Sequence, residues 1–193
     1  MLRYAPRLVA PRTSPPEALV EPLIEDPPTS PLGEHELIPQ VAWMVERDGA
    51  FVHVLATERA ELEAMRGSAI ETVLDGELAS EVLEDVPGDT FATTGTYAAE
   101  LLLDGDHLAE IHGILDAKVY LAAAPYRGRF LFGGVRGGVD AMRAFVAHAR
   151  REHDAAPPLE RISPVTLLVR DGAPQAVIGE LQLVALAQAM GER

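Results

Sequence analysis

The sequence predicts an α+β domain, with a mainly antiparallel sheet and helices packed on it. Asp48-Gly49 and Asp171-Gly172 each separate two apolar runs, a pattern typical of a tight β-hairpin. Apolar residues at helical spacing occupy much of the chain between these two hairpins. Because strands and helices do not alternate regularly, the order of elements favours α+β over a doubly wound parallel sheet.

Residues 1–37 are predicted to be a proline-rich arm or linker, followed by a single domain over residues 38–193. Nine of the 15 prolines lie within the first 39 positions. Proline has no N–H and restricts φ, so we expect neither a regular strand ladder nor a helix here. The arm is expected to pack on the domain or on a second copy through its apolar residues: Leu8, Val9, Leu19, Val20, Leu23 and Ile24.

The first half of the domain predicts a hairpin followed by two helices. Trp43 belongs to the first strand of this hairpin and His53 to the second, where a lone histidine is typically structural or at the surface. Thr57 is expected to cap a helix over residues 58–66. Ser68-Ala-Ile-Glu71 fits a capping box and predicts a second helix with these apolar positions: Ile70, Val73, Leu74, Leu78, Val82 and Leu83.

The second half predicts a helix, two strands, a long helix, a hairpin and a closing helix. Asp106 is expected to cap the first of these helices, after an apolar run at 97–103 that fits either strand or helix. Residues 118–123 and 128–133 are the predicted strands, and Leu131 is expected to face the core. Apolar positions on the inner face of the long helix are Val139, Met142, Phe145, Val146 and Ala149.

Three stretches, TYAAELLLDGDHLAEI, VYLAAAPYRGRFLFGG and ISPVTLLVRDGA, together resemble the uncharacterised bacterial YtpQ-like family over about residues 40–180. The resemblance implies a small α+β protein in which a proline–arginine connector joins two strands. It also implies a helix and a last hairpin that starts at serine–proline. Gly128 stands where an acidic residue is expected after the arginine. The family has no known reaction, so the resemblance implies a fold and no activity.

Composition and charge exclude several classes of function. The net charge of −14 disfavours binding to nucleic acid and to anionic lipid. The absence of cysteine excludes disulfides, thiolate nucleophiles and iron–sulfur ligation. No apolar run approaches the roughly 20 residues that span a bilayer, and no apolar leader follows the N-terminus. We therefore expect a soluble cytoplasmic protein with neither nucleic-acid nor membrane partners.

The motifs of common enzymes are also missing. The GGVRGG loop lacks the lysine and hydroxyl of a phosphate-binding loop, and no serine lies in an activated setting. The histidine pairs are five residues apart, which does not match the i, i+4 spacing of helical zinc ligands. Asp104 and Asp106 could hold a cation, but Asp106 is already explained as a cap. No catalytic residue, cofactor or metal is predicted.

Arg127, Arg129 and Arg136 are the candidate binding residues. If Arg129 has entered the second strand, Arg127 and Arg129 point to one face, and Arg136 in the next loop could join them. Such a group of guanidiniums would bind a carboxylate or phosphate. The competing interpretation, which we favour at this point, is that they are polar turn residues balancing nearby carboxylates.

Together these observations favour a non-catalytic protein-binding or adaptor domain. A protein partner is expected, and a homo-oligomer could form through the N-terminal arm. One alternative is an acidic inhibitor or immunity-type protein that covers a basic active site by charge complementarity. Another is a small-anion-binding protein or enzyme that uses Arg127, Arg129 and Arg136.

Overall fold

The computed structural model of the chain describes residues 4–25, 27, 33–65, 77–135 and 137–191, and it contains two antiparallel sheets with helices. The predicted α+β class is confirmed. The strands are β1 (Tyr4–Val9), β2 (Val20–Pro22), β3 (Gln40–Arg47), β4 (Ala50–His53), β5 (Ala79–Val82), β6 (Thr90–Thr94), β7 (Val119–Ala123), β8 (Arg129–Gly134), β9 (Leu167–Arg170) and β10 (Ala173–Val177). The α-helices are α1 (Arg59–Glu63), α2 (Gly105–Leu115), α3 (Gly138–Ala155) and α4 (Glu180–Gly191).

Strand β3 is the centre of the four-stranded sheet. β1 pairs with one edge of β3, whereas β2 and β4 share the other edge. The β3–β4 hairpin closes with two residues in the left-handed region, Asp48 at φ 53° and Gly49 at φ 78°. Aspartate and glycine tolerate this backbone better than other residues, so the predicted hairpin is confirmed with its turn chemistry.

The N-terminal segment contributes two strands to this sheet, so the expectation that it forms no ladder is wrong for 4–9 and 20–22. Pro6 lies opposite Trp43. The Trp43 N–H donates to the Leu19 carbonyl and the Trp43 carbonyl accepts from Val54, so both groups point away from β1. Pro6 therefore occupies a position of the ladder that needs no N–H. Leu8, Leu19 and Ile24 are buried, so this part of the segment packs on the rest of the chain.

The six-stranded sheet has the order β10-β9-β7-β8-β6-β5, and every pair is antiparallel. Its β9–β10 hairpin turns at Asp171 (φ 51°) and Gly172 (φ 73°), as predicted. Successive residues of a strand face opposite sides of the sheet. Phe130 and Phe132 accordingly join one hydrophobic cluster and Leu131 joins the other. The prediction that Leu131 faces the core is confirmed.

Two hydrophobic cores lie on opposite faces of the six-stranded sheet. One is shared with the four-stranded sheet and α2, and the other with α3 and α4. Gly133 lets α3 come close to β8, because a Cβ there would lie 2.8 Å from Cδ2 of Phe145. The inner face predicted for the long helix is confirmed by the burial of Met142, Phe145 and Ala149. None of the described helices is long and apolar enough to cross a membrane.

The middle of the chain departs from the predicted helices. The helix expected after Thr57 is the five-residue α1. Residues 66–76, with the predicted capping box, lie outside the described residues. Ala79–Val82, predicted as the end of that second helix, is the edge strand β5. Ala99–Leu103 is a 3-10 helix. Asp104, not Asp106, caps α2, because its carboxylate accepts from the backbone N–H groups at 106 and 107.

Candidate functional site

Arg129 lies in an ion-pair network between β5 and α3. Its Nε and Nη2 are 3.0 and 2.9 Å from the two carboxylate oxygens of Glu152, and its Nη1 is 2.9 Å from Glu81 Oε1. His148 Nε2 is 3.0 Å from the same Glu152 oxygen that Nη2 binds. Burial lowers the pKa of Arg129, but its bonds to Glu152 and Glu81 outweigh burial and raise it. This guanidinium is therefore already neutralised by carboxylates of the chain.

Arg127 lies in the turn before β8 and takes a different direction. It lines a cavity of about 320 Å³ next to β1 and β4. We call this cavity the arginine pocket; its polar lining residues are Arg7, Thr13, Ser14, His53, Arg127 and Arg161. The structure thus separates Arg127 from Arg129, and it brings Arg127 together with two arginines that the sequence did not single out. Arg136 lies outside the described residues.

Backbone pairing holds two arginines of the pocket in place. Tyr126 and Arg161 form an isolated antiparallel bridge, and the Arg127 N–H donates to the Glu160 carbonyl at 3.0 Å. The Arg161 guanidinium also donates to the carbonyls of Ala156 and Asp154, at 3.0 and 2.6 Å. Arg161 is consequently rigid, whereas the Arg127 side chain is exposed and makes no hydrogen bond or ion pair with the described part of the chain.

Arg7 enters the pocket from β1. Its guanidinium lies over the ring of Tyr97, 4.7 Å from the centroid, which is a cation–π geometry. Its Nη1 is 3.6 Å from Glu100 Oε1, and the same carboxylate oxygen accepts from the Leu8 N–H at 3.3 Å. These contacts tie β1 to the 3-10 helix at 99–103 and fix the plane of the Arg7 guanidinium.

Glu100 is a buried carboxyl group beside Arg7. Its side chain is fully shielded from solvent. Burial raises the pKa of Glu100 to about 7, while the charges of Arg7 and Arg127 and the Leu8 N–H act in the opposite direction. The charge of the pocket therefore changes near neutral pH: it is more positive when Glu100 is protonated.

Several buried polar atoms around the pocket have no hydrogen-bond partner among the described residues. They include Arg7 Nη1, Ser14 Oγ and His53 Nδ1, all from residues that line the cavity. Leaving such a group without a hydrogen bond costs about 1–3 kcal/mol. Arg7 Nη1 keeps its ion pair with Glu100, whereas Ser14 Oγ and His53 Nδ1 have no hydrogen-bond partner in the described part of the chain. An anion would accept from the guanidinium and the hydroxyl, and from His53 when its Nδ1 carries the proton.

A second cavity, of about 280 Å³, lies at the other side of the four-stranded sheet and has mostly apolar walls. Trp43, Leu102 and Leu108 line it, and the Trp43 indole N–H already donates to Glu21 at 2.9 Å. It offers little chemistry beyond apolar contact. Within the described ranges, no three His, Asp or Glu side chains are grouped so that they could hold a metal ion.

Comparisons with known proteins found no match. No family model matches the chain, and neither a curated protein nor a solved structure matches it significantly.

Proposed function

We propose that the chain is a non-catalytic binding domain that holds an anionic ligand in the arginine pocket. The observation that carries the proposal is the convergence of Arg7, Arg127 and Arg161 on one cavity, beside buried Ser14 and His53 atoms that have no hydrogen-bond partner among the described residues. It favours the anion-binding hypothesis among those that the sequence left open. Of the three arginines of that hypothesis, Arg127 lines the cavity, Arg129 is paired with carboxylates, and Arg136 lies outside the described residues. An anion would gain charge-assisted hydrogen bonds, which are about twice as strong as neutral ones.

The net charge of the chain makes this cluster unusual. The chain carries a net charge of −14. The described residues that line this cavity include three arginines and no carboxylate, so the cavity is positive on a protein that is negative overall. The buried Arg129, by comparison, is paired with two carboxylates, those of Glu81 and Glu152. Among the described residues, the Arg127 side chain has no such ion pair, which supports a role for it towards a ligand.

Replacement of Arg127 by glutamine tests the proposal. Arg127 is exposed, so Arg127→Gln should leave the melting temperature unchanged. We expect it to weaken binding of acetate, sulfate and inorganic phosphate by about tenfold, the loss of one charge-assisted hydrogen bond. The measurement is calorimetric titration at low ionic strength, supported by the shift in melting temperature that each anion causes.

Arg143→Gln is the matched control, because Arg143 is also partly exposed and lies on α3, away from the pocket. It should bind every anion as the unaltered protein does. Equal affinities for the Arg127 and Arg143 variants would contradict the proposed site. The absence of any anion binding by the unaltered protein would contradict the proposed function itself.

A protein partner, predicted from the sequence, is favoured by a separate observation at β4. In the described part of the chain this strand pairs with β3 alone, and its residues Phe51 and Val52 are each nearly 40% exposed. Beyond the strand, a bridge between Ala18 and Leu55 covers the edge. An edge strand with apolar side chains is suited to pairing with a strand of another molecule. By contrast, the outer side of β1 is partly covered, since its Leu8 N–H is bound to Glu100.

A second copy of the chain is the partner that can be tested directly. We expect the protein to associate with itself as its concentration rises, and Val52→Lys to prevent this, because a lysine on an edge strand opposes pairing. Sedimentation velocity over a range of concentrations measures the effect. Val82→Lys on β5, where the valine is 58% exposed, is the control. A monomer at every concentration would contradict this second proposal.

The acidic-inhibitor hypothesis and the cytoplasmic location stay predictions.

A further inference from the structure

We propose that the ligand of the arginine pocket is a carboxylate carried on an apolar group, an inference that rests on the proposed anion site. Half of the residues that line the pocket are apolar: Leu8, Val9, Ala10, Met44, Pro158 and Leu159. A small inorganic anion would contact the arginines and leave this apolar part of the wall exposed to water. A ligand with a charged end and an apolar body would use both parts of the wall.

Leu159 gives the most direct support for an apolar body in the ligand. It is 91% exposed, the most exposed of the large apolar residues described, yet it lines the same cavity as the buried Leu8. A single exposed leucine on a surface is ordinary. One that continues the apolar wall of a cavity, between Pro158 and Arg161, is placed to cover the body of a bound ligand. The gain from covering it is the hydrophobic effect.

Glu100 favours a ligand with a single negative charge. Its carboxylate lies 3.6 Å from Arg7 Nη1 and shares the positive charge of the pocket. Arg161 already donates to two backbone carbonyls, which leaves fewer of its N–H groups for a ligand. The second negative charge of a phosphate monoester would lie close to Glu100 and would be repelled when Glu100 is ionised.

Such a carboxylate has two sources, a small organic acid or the C-terminus of a polypeptide. The experiment therefore compares acetate with hexanoate, hexyl phosphate with hexanoate, and a tripeptide ending in leucine with the same peptide amidated. Binding is measured at pH 8 by NMR titration of the unaltered protein. We expect hexanoate to bind at least tenfold more tightly than acetate, since each covered methylene group adds roughly fourfold.

Leu159→Ser should bring the affinity for hexanoate close to that for acetate, because it removes the apolar side chain expected to cover the body of hexanoate. Ile114→Ser is the matched control, because Ile114 is 60% exposed on α2 and does not line the pocket. Tighter binding of the free peptide than of hexanoate, with none by the amide, would support the proposal and identify a polypeptide end as the source. Tighter binding of hexanoate than of the peptide would support it with a small acid as the source.

Three results would overturn the inference while the anion site stands. They are equal binding of acetate and hexanoate, tighter binding of hexyl phosphate than of hexanoate, and a hexanoate gain that survives Leu159→Ser. Failure of every anion to bind would instead overturn the proposed function on which the inference rests, so the two failures are distinguishable.

Discussion

Glu100 places an ionisable carboxyl group inside the fold, and this makes stability depend on pH. Burial raises its pKa to about 7, from an ordinary value of 4.5. Between these pH values the folded chain holds a proton that the unfolded chain has released. The free energy of unfolding should therefore fall as the pH rises from about 4.5 to 7, by roughly 3 kcal/mol from this group, and change no further above that.

Glu100→Gln should remove this dependence, because the amide does not titrate. We expect the variant to gain stability relative to the unaltered protein as the pH is raised from 5 to 8, measured by urea unfolding at each pH. Glu110→Gln, at an exposed position of α2, is the control. A constant difference between Glu100→Gln and the unaltered protein over this pH range would show that Glu100 does not titrate there.

The residues of the arginine pocket show why the site was only partly predictable. The sequence indicates Arg127 because this residue lies in a short connector between two strong strand patterns. Arg7 belongs to the predicted arm, and Arg161 lies in no motif. These side chains meet only because β1 pairs with β3 and because Arg161 bridges to Tyr126. Such long-range pairings leave no periodicity in the sequence, so no local pattern could have identified the three together.

At the scale of elements, Arg129 connects β5 to α3 through Glu81 and Glu152. Arg129→Ala should lower the free energy of unfolding by about 2 kcal/mol or more, because the half-buried Glu152 would keep only its contact with His148 among the described residues. Arg127→Ala, in the exposed turn, should change it by no more than ~0.5 kcal/mol. Chemical unfolding compares the two variants. Equal effects would contradict the division of roles between these arginines.

The elements that were predicted correctly depend on local chemistry. Both residues of each turn, Asp48-Gly49 and Asp171-Gly172, adopt positive φ, and this backbone conformation suffices to close the hairpin. The sequence does not predict β1, because a proline is expected to forbid a ladder, although the position of Pro6 needs no N–H towards β3. The sequence does not predict β5 either, because all four residues of this strand are exposed and lack the alternation of apolar and polar residues that indicates a half-buried strand.

At the scale of the whole molecule, the N-terminal segment is expected to be necessary for folding. Removal of residues 1–36 would delete β1 and β2 and expose the buried Val41 and Trp43. The truncated chain should therefore lose its cooperative thermal transition, measured by circular dichroism, and a synthetic peptide of residues 1–36 should restore it. A truncated chain that melts cooperatively and at an unchanged temperature would instead support a separate domain over residues 38–193.

The contact between the Leu8 N–H and Glu100 joins positions that lie 92 residues apart. A ribosome makes β1 first, but β3 is complete only at residue 47 and Glu100 comes later still. Leu8 also shares its core with Phe130 and Val169. The nascent chain therefore carries β1 without the Glu100 contact, and without part of its core, until residue 169 has been synthesised. Closing such long loops makes folding slow, and the native contacts of β1 should be complete only after residue 169 has left the ribosome.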